Sequence, residues 1–220
     1  MDIYIKEIFQ SISGEIGDVP QGTIMTFIRV AGCDLRCAYC DTRDSWGSSE
    51  SQKMTVEEVV SRVLDLGCFD VLITGGEPLL QYSAFSYLCD RLFDLGFRVS
   101  VETNGTRKVL PLVSVRCWIV DFKLPSAGEY EHSQMNLANF EYLSFWDVVK
   151  FVVQDKNDFT VALDVCEALQ AQRNYTGHPR IAMSPVYGKL DPKELFSWIV
   201  EVGQFHIILN LQIHKVFGFA

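Results

Sequence analysis

Short apolar runs alternate with amphipathic helical stretches along most of the chain, and this alternation constrains the fold more than any other feature. "TVEEVVSRVLDLG" opens on Thr55 and Glu58 as a capping box, repeats apolar residues at Val56, Val59, Val60, Val63 and Leu64, and stops at Gly67. "FDVLIT" follows as a buried strand. Then "YSAFSYLCDRLFDLG" sets Phe85, Leu88, Cys89, Leu92 and Phe93 on one helical face and ends at Gly96, before the strand "RVSVET". Further strands are expected in "CWIVDFK", "DVVKFVV", "RIAMS" and "HIILNLQI". Helices are expected near 158 to 171 and from 191, where Asp191, Pro192 and Glu194 form a start signal. Residues 124 to 145 read as loop with short helix. Repeated βα units imply an α/β fold of parallel strands with outer helices, either open or curled into a partial barrel.

A chain of 220 residues with 48% hydrophobic and 21% charged residues supports one soluble domain, 1–220, and no repeat or linker divides it. The net charge of −9 and the lack of a basic run argue against nucleic acid or an anionic membrane as partner, which leaves a small molecule. No apolar run is long enough for a transmembrane helix, and "MDIYIKEIF" lacks the basic start of a leader, so the expectation is a cytoplasmic protein. Of seven cysteines, Cys68, Cys89, Cys117 and Cys166 stand singly among apolar residues and read as core.

In such folds chemistry sits at the carboxyl ends of the strands. "TFIRVAGC", "VLITGGEP", "VSVETNG" and "WIVDFKLP" each place polar residues there. Asp121 and Lys123 share one strand face, as do Glu102 and Asn104, so these faces line a polar interior that either binds a ligand or serves as an ion-pair network.

The remaining cysteines stand together. "GCDLRCAYCDT", residues 32–42, holds Cys33, Cys37 and Cys40 as C-x3-C-x2-C. A structural zinc site needs four ligands, yet no histidine lies nearby and Cys68 follows a whole helix. Three thiolates on a [4Fe–4S] cluster leave one iron open for chemistry.

The cysteine loop after one strand and "TGGEP" after the next resemble the radical S-adenosylmethionine enzymes. That resemblance implies adenosylmethionine chelated to the open iron and cleaved to a 5′-deoxyadenosyl radical. It implies that Gly75 and Gly76, with Glu77 beside them, let the backbone approach the methionyl group, and that Tyr39, Cys40 and Asp41 lie beside the cofactor. "FQSISGE", "CDTRDSW", "ETNGT", "DFKLPSAG" and "LQIHK" extend the resemblance, end to end, to the 7-carboxy-7-deazaguanine synthase family. The family converts 6-carboxy-5,6,7,8-tetrahydropterin to 7-carboxy-7-deazaguanine with loss of ammonia, on the route to queuosine. An activating enzyme for glycyl radicals, acting on a protein, and a non-enzymatic iron–sulfur protein are the alternative readings.

By resemblance, substrate contacts fall to Ile12, Ser13, Gly14, Glu15, Arg29, Thr74 and His214, the last near the end of the final strand, and to the carboxylate of Ala220 within a capping segment at about 206–220. The charged Arg29 on an inward face requires a partner, either the substrate carboxylate or an internal acid such as Glu15. Thr42 is expected to bind Mg2+ beside the cluster, its other reading being a capping hydroxyl. Lys123, Ser184 and Gln154 complete the cofactor contacts. The family motif has glycine after the acid, where this chain has Ile16. A flavodoxin- or ferredoxin-type reductant and a homodimer are also implied.

Overall fold

A computed structural model describes residues 1–47, 49, 51–128, 135–171, 178–204 and 206–219; Ala220 lies outside them. The strands are β1 (Asp2–Ile12), β2 (Ile24–Val30), β3 (Gln52–Thr55), β4 (Asp70–Gly75), β5 (Arg98–Thr103), β6 (Cys117–Phe122), β7 (Val148–Val153), β8 (Arg180–Pro185) and β9 (Ile208–Leu209). The helices are α1 (Val56–Leu66), α2 (Tyr82–Asp94), α3 (Lys156–Ala171), α4 (Pro192–Glu201) and α5 (Ile213–Phe217).

All nine strands form one sheet in the order β3-β1-β2-β4-β5-β6-β7-β8-β9. Apart from β3, the strands from β2 to β9 run parallel and lie side by side in chain order. Right-handed crossovers stepping in one direction put the helices on one face and leave the other facing inward. The outer strands β3 and β9 do not pair with each other, so the barrel is partial. One feature departs from the βα alternation: β1 is antiparallel to both β2 and β3. Residues 13–23 join β1 to β2 without a helix, as an antiparallel pair allows and a parallel pair does not.

Strand periodicity divides the chemistry between the faces. Ile28, Val30, Ile73, Val101, Val120, Val149 and Phe151 join the helix-side core with Val59, Val63, Phe85, Leu88 and Phe159. Residues one position removed, including Arg29, Thr74, Glu102, Asp121 and Lys150, face inward and line a cavity. At the other end of the interior, Ile16 and Leu72 pack on Cys117, Ile119, Val148 and Ala182. This apolar plug closes the floor, so the cavity opens at the carboxyl ends.

The capping box of α1 is present, with Thr55 and Glu58 bonded reciprocally and Gly67 left-handed at φ 71°. Leu64 and Phe93, expected on buried faces, are half exposed, because each lies at the margin of a stripe already filled by Val59, Val60 and Val63 or by Leu88, Cys89 and Leu92. Cys89, Cys117 and Cys166 are buried, but Cys68 is half-buried at the start of β4, its thiol directed to the Ile24 carbonyl. The strand expected over 206–213 is paired only at Ile208 and Leu209. Asn210 turns its side chain onto residues 15–21, Gln21 donates to the Leu211 carbonyl, and the Ile213 amide donates to Gly14. His214 therefore sits in the short helix α5 rather than at a strand end. No helix among the described residues is long and apolar enough to cross a membrane.

Candidate active site

The cysteine loop is held by groups other than its thiols. Gly32, at φ 91°, donates to the Ser45 carbonyl and Cys33 to that of Trp46, while Ala38 donates to Ala127 across the cavity rim. Arg36 donates to the carbonyls of Cys33 and Leu35. Backbone and arginines thus fix the loop, and all three cysteines line one cavity of about 520 Å3, within the range of small-molecule sites. Burial pushes the Cys37 thiol up to about 11 and also raises Cys33. A raised pKa favours the neutral thiol until a cation binds the thiolate, which suits a metal cluster. Among the described residues no three His, Cys, Asp or Glu side chains converge on a single ion. A cubane does not ask for that, since each thiolate binds a different iron.

The glycine pair packs directly on this loop. The Gly76 amide donates to the Val30 carbonyl at 2.9 Å and the Glu77 amide to that of Gly32 at 2.7 Å, extending the β2–β4 pairing into the loop. A Cβ on Gly76 would lie 2.0 Å from the Gly32 oxygen, and one on Gly75, at φ 113°, 2.6 Å from that of Val30. Glycine is required here for contact between two backbones, beside whatever approach a ligand makes.

Glu77 itself faces away from the cavity. It is fully buried, and its carboxylate accepts from the amides of Leu79 and Asn104 and from the Thr103 hydroxyl. Burial raises its carboxyl from 4.5 to about 7 against those hydrogen bonds. The folded state therefore binds this proton more tightly, and the group's contribution to stability falls as pH rises from about 4.5 to about 7. The upper limit of that loss is about 3 kcal/mol. Denaturant unfolding of the apoprotein across this window should show the decline, and Glu77→Gln should lack it. Equal slopes for the two proteins would contradict the assignment.

Arg29 projects from β2 into the cavity. Its Nε lies 2.7 Å from Glu7 Oε1, and its guanidinium stands 5.4 Å from the Phe9 ring centroid. Glu7, not Glu15, is the ion-pair partner. The pair is a charge contact in which the Nε–H is not aligned on the carboxylate. A fork in this state is suited to a carboxylate ligand.

Glu15 reaches the cavity floor from the β1–β2 connection, with Ile16 turned down into the apolar plug. Its carboxylate meets Lys150 Nζ at 2.8 Å, Gln212 Nε2 at 2.8 Å and Asn210 Nδ2 at 3.2 Å. Burial acts to raise its pKa, yet the Lys150 charge and these hydrogen bonds outweigh it and bring the carboxyl to about 2. Lys150 also pairs with Glu102, whose other oxygen accepts from Thr74 at 3.0 Å. Lys123 pairs with Asp121 at 2.6 Å.

Thr42 occupies the N-cap position of a short turn, but its hydroxyl makes no cap hydrogen bond. Its carbonyl accepts from Ser45 instead, leaving the hydroxyl in the cavity 3.7 Å from Cys40 Sγ. This disfavours the capping reading and suits a hard cation. Asp41 is paired with Lys215 of α5 at 2.5 Å. His214 lies over Gly14, where a Cβ would come within 2.0 Å of its Nδ1.

The structure thus gathers Ile12, Ser13, Gly14, Glu15, Arg29 and Thr74 around one cavity with the cysteine loop, Tyr39, Asp41 and Thr42. Gly75, Gly76, Lys123 and His214 also line it. Ser184 stands behind the wall, fully buried, its hydroxyl accepting from Asn210. Gln154 is not part of the lining; its amide donates to Asp158. The sequence reading missed Lys150, Glu7, Asn210, Gln212 and Lys215, and assigned Glu102 no specific role. The available signal for Lys150 was a single lysine inside "DVVKFVV", a charge in an otherwise apolar strand.

The Radical SAM superfamily model matches residues 27–122. A 7-carboxy-7-deazaguanine synthase of Clostridium acetobutylicum is 33% identical, over 98% of this chain and 96% of that protein. Another, of Methanospirillum hungatei, is 38% identical over 97% of this chain and 85% of its own length. The crystal structure of QueE from Escherichia coli matches the fold with a TM-score of 0.75 at 24% identity, over 96% of this chain and 93% of that one.

Proposed function

Since the chain belongs to the 7-carboxy-7-deazaguanine synthase family, we propose that its strand-end cavity binds 6-carboxy-5,6,7,8-tetrahydropterin and converts it to 7-carboxy-7-deazaguanine with loss of ammonia. The protein is a radical S-adenosylmethionine enzyme of deazapurine biosynthesis. The observation that carries the substrate assignment is the union of opposite recognition groups in one cavity: the Arg29 guanidinium on one wall, and the acids Glu15 and Glu102 on the floor. A pterin carrying a carboxylate and a donor-rich amino-pyrimidinone edge matches both.

When bound, the cluster and adenosylmethionine supply the one-electron chemistry that removes and returns a substrate hydrogen. Cys33, Cys37 and Cys40 hold the cluster, while Tyr39, Gly75, Gly76 and Lys123 border the space left for the cofactor. Arg29 anchors the carboxylate, and Glu15, fixed by Lys150 and Gln212, receives the amino-pyrimidinone edge. Together these contacts hold the ring at one distance from the cofactor, and much of the rate depends on that positioning. α5 contributes His214 and Lys215 to the cavity lining and is tied to the cysteine loop by the pair of Lys215 with Asp41. Thr42 would hold Mg2+ through its hydroxyl, and the ion would supply orientation of the substrate and offset of developing negative charge. The electron donor is of flavodoxin or ferredoxin type, and the working form is a homodimer.

The test is anaerobic turnover. Protein reconstituted with iron and sulfide is given reductant, adenosylmethionine, Mg2+ and the carboxypterin, and products are read by mass. The expected product is the deazaguanine carboxylate, and cofactor cleavage without it would discard the substrate. Thr42→Ala is expected to lose about 100-fold in kcat/KM, as removal of a transition-state contact can, and Thr42→Ser to recover most of it. Equal rates for Thr42→Ala and wild type would remove Thr42 from the ion's shell.

A further inference from the structure

We propose that Lys150 is a positioning residue for the substrate's donor-bearing ring edge, its ammonium holding Glu15 and Glu102 together as ionised acceptors at the cavity floor. The inference rests on the reading of this cavity as a pterin site. Lys150 is only 3% exposed, and three carboxylates from three separate elements surround it. They are not equivalent. Asp121 stands opposite Lys150 in the β6–β7 register and is already paired with Lys123; its Oδ1, 3.3 Å from Nζ, has no aligned hydrogen bond. Glu15 and Glu102 both accept hydrogen bonds from Lys150.

Each acid is also oriented from its far side. Gln212 and Asn210 hold Glu15 and Thr74 holds Glu102, so of a carboxylate's roughly four acceptor positions about one on Glu15 and about two on Glu102 are left for a ligand. Three acids against two ammoniums leave an excess negative charge. Adjacent N–H donors of an amino-pyrimidinone satisfy it, whereas an edge presenting acceptors is repelled.

Two neighbouring buried carboxylates cannot both stay ionised without the intervening cation. Burial and the nearby Glu15 and Asp121 charges already raise the Glu102 carboxyl, so it is the acid that would take a proton. A protonated Glu102 presents a donor where the substrate needs an acceptor. The other titratable groups near this pair are Lys123 just after β6, His214 of α5 and Asp41 of the cysteine loop.

The experiment compares wild type with Lys150→Met, Lys150→Arg and the double variant Lys150→Met/Glu102→Gln, which removes one charge of each sign to protect folding. Anaerobic equilibrium binding is measured separately for the carboxypterin and for adenosylmethionine. Lys150→Met is expected to weaken pterin binding about 100-fold, with Lys150→Arg recovering much of it and adenosylmethionine binding unchanged. Difference infrared spectroscopy is expected to show a protonated carboxyl in Lys150→Met that is absent from wild type and from the double variant. Unchanged pterin binding in Lys150→Met, equal loss of both ligands, or no protonated carboxyl would each overturn the proposal. Wild-type protein that fails to bind the carboxypterin would instead overturn the functional reading, and the infrared comparison would still decide whether Lys150 keeps the acids ionised.

Discussion

Gly76→Ala is expected to lose its iron–sulfur site and about 3 kcal/mol or more of stability. The added carbon would lie 2.0 Å from the Gly32 carbonyl oxygen, and neither side can yield easily. Gly76 donates to Val30 and Glu77 donates to Gly32, so moving either backbone breaks the pairing that continues from β2 and β4 into the cysteine loop. Displacing Gly32 also displaces Cys33. Iron and sulfide content after reconstitution, together with a denaturant midpoint, measures both effects. Gly47→Ala is the control: its nearest neighbour would be 3.8 Å away, and a change within about 0.5 kcal/mol is expected. A Gly76→Ala protein with full iron and an unshifted midpoint would show that the two backbones are not in contact.

Arg29→Met is expected to weaken carboxypterin binding about 100-fold, the scale of removing a charge-assisted partner at a largely buried site. The methionine keeps much of the packing against Phe9 and removes the charge, so a shape effect can be separated from an electrostatic one. An analogue lacking the carboxylate sharpens the test. It should bind wild type and variant alike, because Arg29, paired with Glu7, then makes no charged contact with the ligand. A carboxypterin that binds Arg29→Met as tightly as wild type would return Arg29 to an internal role with Glu7.

Much of the architecture was legible because strands and helices carry different hydrophobic periods, and the capping box at Thr55 and Glu58 marked a boundary without tertiary information. The antiparallel start was not legible, since β1 and β2 have ordinary strand patterns and only the lack of a helix in residues 13–23 distinguishes them from a βα unit. The final strand was overread for a related reason. "HIILNLQI" has strand propensity throughout, but the side chain of Asn210 and the Ile213 amide are engaged by residues distant in sequence.

At the site, local spacing revealed the cysteines and the glycine pair, because each performs its task within a few residues. Ion pairing leaves no such local trace. Arg29 was recognisable as an inward charge, yet its partner could equally have been Glu15, and the distinction depends on the β1–β2 register that sets Arg29 opposite Glu7. Glu77 illustrates the converse. Its place beside the glycines suggested a ligand contact, whereas its burial and hydrogen bonds make it a brace for the turn.

The bond between Gln212 and Glu15 joins residues 197 positions apart, which gives the molecule an order of assembly. The backbone contacts between the cysteine loop and the glycine pair join β2 to β4, whereas the substrate floor forms only when a very long loop closes. During synthesis, the strands that carry the cluster emerge well before the segment that completes the pterin site. The Asn210 and Gln212 contacts that complete the substrate floor therefore join parts of the chain made far apart in time.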